Sequence, residues 1–242
     1  MSADDLTDQQ LLLLDHNNHF GAFTGYLNKS RHSVDKQGFL RAWVKPDAGD
    51  FILECGSSSG KTSIDFASKC SCRCLGVDFD PDAIAISTAL REEHFPELKD
   101  LCSFELGDLT AIPLDRQINK ILMPDFTEHI PDRVFSGILR NIRTQLQTVR
   151  LYIYTPLRSH IFEILKHNDL ILRNPSGHIN VKTRTELITF LTEHGWEIEH
   201  VSWRTSSIPV FKYAEMVLGR IPLIGSLFQR RIAVIARPAA EK

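Results

Sequence analysis

FILECGSSSGKT, residues 51–62, decides the fold. The apolar run Phe51–Cys55 follows the turn signal Gly49-Asp50 and predicts a short buried strand. The next five residues, Gly56 to Gly60, are all small, and a helical pattern (KTSIDFASK, 61–69) begins directly after them. Small residues let a backbone turn sharply and approach a ligand, and the helix behind such a loop favours an anionic group at its N-terminus. The phosphate-cradling loop G-x-x-x-x-G-K-[ST] needs four residues between its glycines; here there are three. Consecutive amides wrap the phosphate in that loop, so one lost residue changes the cradle. A magnesium-binding acid is not specified either, because Asp108 and Asp125 qualify equally. Nucleoside triphosphate hydrolysis is a poor fit.

Outward from this loop, strand and helix alternate. CRCLGVD (72–78) reads as a second strand. Asp80-Pro81 then supplies an N-cap with proline at the first helical position, opening a helix that runs to about His94. Strands follow at 101–108, 118–124 and 150–156, and apolar residues at 134, 135, 138, 139, 142 and 146 predict a helix before the last of these. Thr183 and Glu186 have capping-box spacing, and Gly195 ends the helix they open. WEIEHVSW (196–203) and RIAVIARP (231–238) read as a final pair of strands. The expected fold is α/β: a Rossmann-like, seven-stranded, mostly parallel sheet with helices on both faces, an antiparallel last strand and an N-terminal helical cap. The cap is expected over residues 1–45, the main domain over 46–242, and an apolar insertion over 205–230 between the last two strands.

The 242 residues suffice for one large domain, and an apolar fraction of 43% supports a real core. A net charge of -2 argues against a nucleic-acid partner bound through many phosphates. No run of 18 apolar residues predicts a membrane span, and the acidic N-terminus is unlike a secretory signal, so a cytoplasmic location is expected. CSCRC (70–74) invites a metal reading, but zinc sites use wider spacing and a second ligand pair. Packing in a reducing compartment is expected instead, with Cys70, Cys72 and Cys74 on one face of an extended strand, and no metal site is expected.

Asp78 ends the second strand, 18 positions after Gly60, where an acid can accept from both ribose hydroxyls of a bound nucleotide. Asp108 ends the third, within reach of an adenine amino group. A nicotinamide-binding unit shares the first features. The motifs FILECGSSSG, CLGVDFDPDAI, FELGDLTAIP, ILMPDFTEHIPD and GHINVKTRTELITFLTEHGWEI, in this order over residues 50–238, resemble the class I S-adenosylmethionine-dependent methyltransferases. The resemblance implies S-adenosylmethionine as cofactor. It implies that Glu54 shapes the methionine site and that Gly56, Ser57, Ser58 and Gly60 form the loop. Asp78 then holds the ribose, Phe79 packs beside adenine, Asp108 and Leu109 meet the adenine edge, and Met123 and Pro124 line the cofactor. Two positions depart from the family pattern. Ser58 replaces a usual second glycine, so the turn is expected to differ locally. Asn119 replaces a common Asp, a position read as structural.

Methyl transfer is a direct displacement that gains from in-line positioning and exclusion of water, and a hydroxyl acceptor gains from a general base. His129, after the fourth strand, and His178, in a Gly- and Pro-containing loop after the fifth, are the candidate catalytic residues; each also reads as a loop anchor. His19 and Tyr26 of the cap are candidate substrate contacts, and His16 is a weaker one. The fourth strand lacks the [DNS]-P-P-[FYW] motif of base- and amide-methylating enzymes. A small-molecule acceptor, methylated at oxygen, is therefore expected. The insertion reads either as packing or as an apolar lid for a lipophilic substrate or membrane surface, with Pro209, Pro222 and Gly225 favouring packing. A nicotinamide oxidoreductase and a non-catalytic cofactor-binding or interaction module remain the alternatives.

Overall fold

A computed structural model describes residues 26, 28–167, 178–206, 209–222 and 224–240. The elements in chain order are α1 (Arg31–Val44), β1 (Phe51–Cys55), α2 (Lys61–Cys70), β2 (Arg73–Asp78), α3 (Pro81–His94), β3 (Cys102–Leu106), β4 (Lys120–Pro124), α4 (Asp132–Gln145), β5 (Arg150–Pro156), α5 (Ile161–His167), α6 (Arg184–Glu193), β6 (Trp196–Arg204), α7 (Pro209–Leu218) and β7 (Arg231–Pro238). The seven strands form one sheet in the order β3-β2-β1-β4-β5-β7-β6. β1 to β5 pair in parallel, while β7 runs antiparallel to both β5 and β6. This is the expected sheet; of the cap expected over residues 1–45, α1 is described, and residues 1–25 and 27 lie outside the described residues.

Alternation along each strand divides the core in two. Leu53, Ile121, Met123, Leu151, Ile153, Ile232 and Val234 face α4 and α6, where Phe135, Ile138, Leu139, Ile142, Leu187 and Leu191 meet them. Ile52, Leu122, Tyr152, Tyr154 and Ala233 face the other way, toward Leu40 and Val44 of α1 and Ile64, Phe66 and Ala67 of α2. A strand buried on both faces loses the alternation of a half-buried one, which is why FILEC is buried throughout; its one charged residue, Glu54, is held by hydrogen bonds from Ser63. α1 adds aromatic contacts to the second face: Trp43 meets Tyr152 edge-on at 5.3 Å, and Phe39 lies 5.2 Å from Tyr154.

Local signals produced the expected ends. The Asp80 side chain accepts from Asp82 N and starts α3 at Pro81. Thr183 and Glu186 form both bonds of the capping box, and Gly195 turns the chain at φ 76°. Asn119 is structural, as expected: it accepts from Phe51 N (3.1 Å) and donates to Asp50 (3.0 Å), fastening the start of β1.

Three readings need adjustment. β3 stops at Leu106, before Gly107-Asp108: Gly107 N still bonds the Asp78 carbonyl, and the chain then turns at Asp108, which accepts from Thr110 N through its side chain and from Ala111 N and Ile112 N through its carbonyl. β4 begins at Lys120 rather than Ile118, because Ile118 N bonds back to the Asp115 carbonyl in a turn. Cys70 does not share a strand face with its neighbours: it closes α2, and Ser71 turns the chain through φ 57°. Cys72 and Cys74 do share a face, with sulfurs 3.7 Å apart, and all five cysteines are free thiols.

Among its described residues the insertion holds one helix, α7, and a 3-10 turn at Gly225–Phe228. Buried Glu215 fixes α7, accepting from Ser206 N and standing 3.4 Å from Nε2 of buried His160. Its outer face exposes Phe211, Tyr213, Met216 and Val217, and Ile221 and Ile224 follow. No helix among the described residues is long and apolar enough to cross a membrane.

Candidate active site

In the sheet order, the chain leaves β1 toward β2 and β3 on one side and returns to β4 and β5 on the other. That reversal opens a crevice beyond the carboxyl ends of β1 and β4, where doubly wound sheets bind ligands. The loop after β1 is held from below by β2: Gly56 N and Ser57 N both donate to the Val77 carbonyl, at 2.8 and 3.2 Å. Gly56 and Gly60 have φ near +70°. A Cβ at Gly56 would lie 2.3 Å from the Phe126 ring, and one at Gly60 2.4 Å from Phe104, so neither position accepts a side chain.

Ser58 adopts the left-handed region itself, at φ 49°. The expected departure from the glycine turn does not occur, because Ser58 N donates to Asp78 Oδ2 at 2.8 Å and that charge-assisted bond offsets the strain. Asp78 is buried and also accepts from Asp80 N at its other oxygen, at 3.1 Å. A carboxylate accepts several hydrogen bonds at once, the chemistry that receives ribose hydroxyls. Glu54 turns toward α2, accepting from Ser63 N (2.9 Å) and Ser63 Oγ (2.6 Å). Burial raises its pKa, with the Ser63 and Thr62 hydroxyls and Lys36 opposing the rise.

On the β3 side, Asp108 is exposed and caps its own turn, accepting from Thr110 N and Thr110 Oγ1 at 2.8 and 2.7 Å. Leu109 is buried beside it, and Phe79 is half-buried at the end of β2. Met123 is fully buried in the core under α4, and Pro124 pairs with Tyr154.

The β4 side carries cations that the sequence did not mark. Asp125, at φ 55°, forms ion pairs with Lys36 of α1 and Arg231 of β7. Burial lowers the Lys36 ammonium to about 8, and nearby Arg231 pushes the same way, while Glu128 and Glu54 oppose. Lys61 also falls to about 8 through burial, then through Lys36, and burial takes Arg231 to about 10. These three cations gather where the loop after β1 meets the turn after β4. Lys36 lies within an ordinary helical pattern, and nothing in its neighbours distinguishes it.

The turn Thr127–His129 follows, with Glu128 fully buried. The Glu128 carbonyl accepts from both Ile179 N and Asn180 N at 3.0 Å, drawing the His178 segment onto this turn. His129 and His178 meet edge to face, ring centroids 5.0 Å apart. Glu128 Oε2 accepts from Thr155 Oγ1 at 2.9 Å. Burial raises its pKa, opposed first by His178. The two candidate catalytic histidines, 49 positions apart in sequence, are thus brought together. Tyr26 is placed elsewhere: its ring packs 6.2 Å from Phe95 against the second core cluster, and burial raises its hydroxyl to about 12. His16 and His19 lie outside the described residues.

The residues present fit a sulfonium nucleoside cofactor. Buried Asp78 closes β2 beside the loop, Lys61 opens the helix facing the loop, and the Ser57 and Ser59 hydroxyls are buried without a hydrogen-bond partner.

A protein family described as a methyltransferase domain matches residues 27–201, and the chain belongs to that family. By family and fold it is a class I S-adenosylmethionine-dependent methyltransferase. The antiparallel β7 separates this sheet from the 3-2-1-4-5-6 order of nicotinamide-binding folds. Magnesium protoporphyrin IX methyltransferase from Synechocystis PCC 6803, solved with bound SAH, superposes with a TM-score of 0.64 at 13% identity, covering 93% of this chain and 96% of that one. Geranyl diphosphate C-methyltransferase from Streptomyces coelicolor A3(2) gives 0.60 at 11% identity, over 86% and 79%. The [4+2]-cyclase SpnF gives 0.60 at 14%, over 86% and 82%. At these identities the likeness is one of fold. No curated protein sequence matches the chain.

Proposed function

We propose that this chain methylates a hydroxyl oxygen of a small-molecule acceptor, with S-adenosylmethionine as donor. The observation that carries the proposal is the meeting of His129 and His178 beside buried Glu128, directly after the β4 turn that borders the crevice. A hydroxyl must lose its proton as it attacks, and imidazole is the side chain suited to take it near neutral pH. The cofactor supplies an electrophilic methyl group on sulfur. The protein's part is to hold the ribose through Asp78, to place positive charge from Lys61 near the methionine carboxylate, and to keep the acceptor in line beside the histidines.

The acceptor is lipophilic in this reading. Glu163 of α5 stands 3.6 Å from His178 Nδ1, and Phe162 of the same helix meets Phe211 of α7, 5.4 Å between centroids. α5 therefore links the histidine pair to the exposed apolar face of α7, and Ile161 and Ile164 extend that face. The neighbouring protoporphyrin and geranyl diphosphate enzymes are named for small molecules with large apolar parts. Five free thiols support a reducing compartment, the cytoplasm.

The test is transfer of labelled methyl from S-adenosylmethionine to a panel of phenols, alkanols, amines and carbon acids with apolar substituents. O-methyl products that disappear in His129→Ala, with S-adenosylhomocysteine affinity intact, are the expected result. Methylation confined to nitrogen or carbon acceptors contradicts the oxygen assignment.

A further inference from the structure

We propose that Glu128, His129 and His178 form a binding site for a divalent transition-metal ion of the zinc type. One donor atom from each residue lies within 4.8 Å of the other two. Two imidazoles and one carboxylate suit zinc, iron, manganese or cobalt, whereas calcium and magnesium favour oxygen alone.

The convergence is built by the backbone. The single carbonyl of Glu128 receives Ile179 N and Asn180 N, so the turn carrying Glu128 and His129 is fastened to the segment carrying His178. Asn180 extends the clamp, donating to the Ile130 carbonyl at 2.9 Å and to Asp132 at 2.7 Å.

A second observation points to a ligand. Glu128 is 0% exposed, and Oε1 has no hydrogen-bond partner although Oε2 is held by Thr155. A buried carboxylate oxygen without a donor costs free energy that a cation recovers. The surroundings also match what orients metal-bound side chains. Thr155 fixes the carboxylate, and Glu163 stands against one ring nitrogen of His178, where a carboxylate commonly holds a ligating imidazole. Donor atoms around an ion with bonds of about 2.1 Å lie roughly 3 to 3.5 Å apart, so binding draws the three side chains inward.

Three protein donors leave an open coordination position, as catalytic sites do. With the imidazoles as ligands the ion takes over the part of the base: an acceptor hydroxyl at that position would have its pKa lowered and release its proton to solvent. Its oxygen then forms a bond to the methyl carbon as the sulfur–methyl bond breaks, with that electron pair going to sulfur and no net oxidation. This second half rests on the oxygen-acceptor reading above; the binding of metal does not.

The test begins with chelator-stripped, folded protein titrated with Zn2+, Co2+, Mn2+ and Mg2+ by calorimetry, with the Co2+ absorption spectrum as an independent signal. Expected are one Zn2+ or Co2+ per chain, a loss of about a hundredfold or more in affinity in His129→Ala and His178→Ala, and about tenfold in Glu163→Gln. S-adenosylhomocysteine binding in these variants reports that they fold. Failure of any ion to bind overturns the proposal. So does binding that survives both histidine substitutions, or that vanishes in Cys72→Ser and so belongs to the thiols. O-methylation by metal-free protein at the full rate overturns the metal's catalytic part and leaves the oxygen reading standing. Metal bound at the histidines without O-methylation does the reverse.

Discussion

On one side of the crevice, the groups proposed to face the cofactor come from residues 54–78, a single strand-loop-helix-strand run held by neighbouring amides. On the other side they come from positions 36, 125–129, 155, 163, 178 and 231, joined across elements far apart in the chain. The first side is a local motif whose geometry follows from small residues and a strand end. The second is assembled only when α1, β4, β5 and β7 have packed. Binding of a common cofactor can be encoded locally, while acceptor chemistry is left to long-range contacts that vary without disturbing the sheet.

This contrast predicts that damage to the first side abolishes cofactor binding, and damage to the second spares it. The largest effect is expected from Gly60→Val, which forces a β-branched residue to φ +71° and drives its Cβ into Phe104 and Ser87. Destabilisation of about 2 kcal/mol or more and loss of S-adenosylhomocysteine binding should follow, read by denaturant unfolding and calorimetry. Asp78→Ala comes next. It removes the proposed ribose acceptor together with the partner of Ser58 N and Asp80 N, and should weaken binding by roughly ten- to a hundredfold. Unchanged affinity in a folded variant would remove Asp78 from the site.

His129→Ala should slow turnover by roughly a hundredfold at unchanged cofactor affinity, which a comparison of kcat with S-adenosylhomocysteine binding checks. Wild-type turnover would exclude the residue from the chemistry. Lys36 sharpens the comparison through pH. Its pKa is lowered from 10.5 to about 8 by burial, so between those values the unfolded chain holds a proton that the folded chain has released. Stability from this group therefore rises with pH from about 8 to about 10.5. Unfolding measured across that range should show the wild type gaining on Lys36→Met, and a constant difference would contradict the shift. The smallest effect is expected from Asp108→Ala. Its exposed carboxylate serves mainly its own turn, so a change of only a few-fold in cofactor affinity should follow.

The same contrast explains what could be read from sequence. Asp80-Pro81, the Thr183–Glu186 box and Gly195 act within a few residues, so they fixed helix ends correctly. The tight turn of residues 56–60 was legible because its small residues are contiguous. His129 and His178 could be nominated only as loop histidines, since their contact depends on two amides meeting the Glu128 carbonyl 51 and 52 positions away. Lys36 and Arg231 were not found at all: Asp125 joins them from helix and strand patterns whose residue types describe burial and surface, not chemistry. Cys70 was misread because CSCRC straddles a helix end, which the left-handed turn at Ser71 creates and residue type alone does not announce.

The measurement that tests the account most directly is calorimetric titration of S-adenosylhomocysteine, NAD and ATP into the wild type and Asp78→Ala. The account predicts binding of S-adenosylhomocysteine alone, weakened in the variant. Preference for NAD or ATP, or no binding by folded protein, would contradict it.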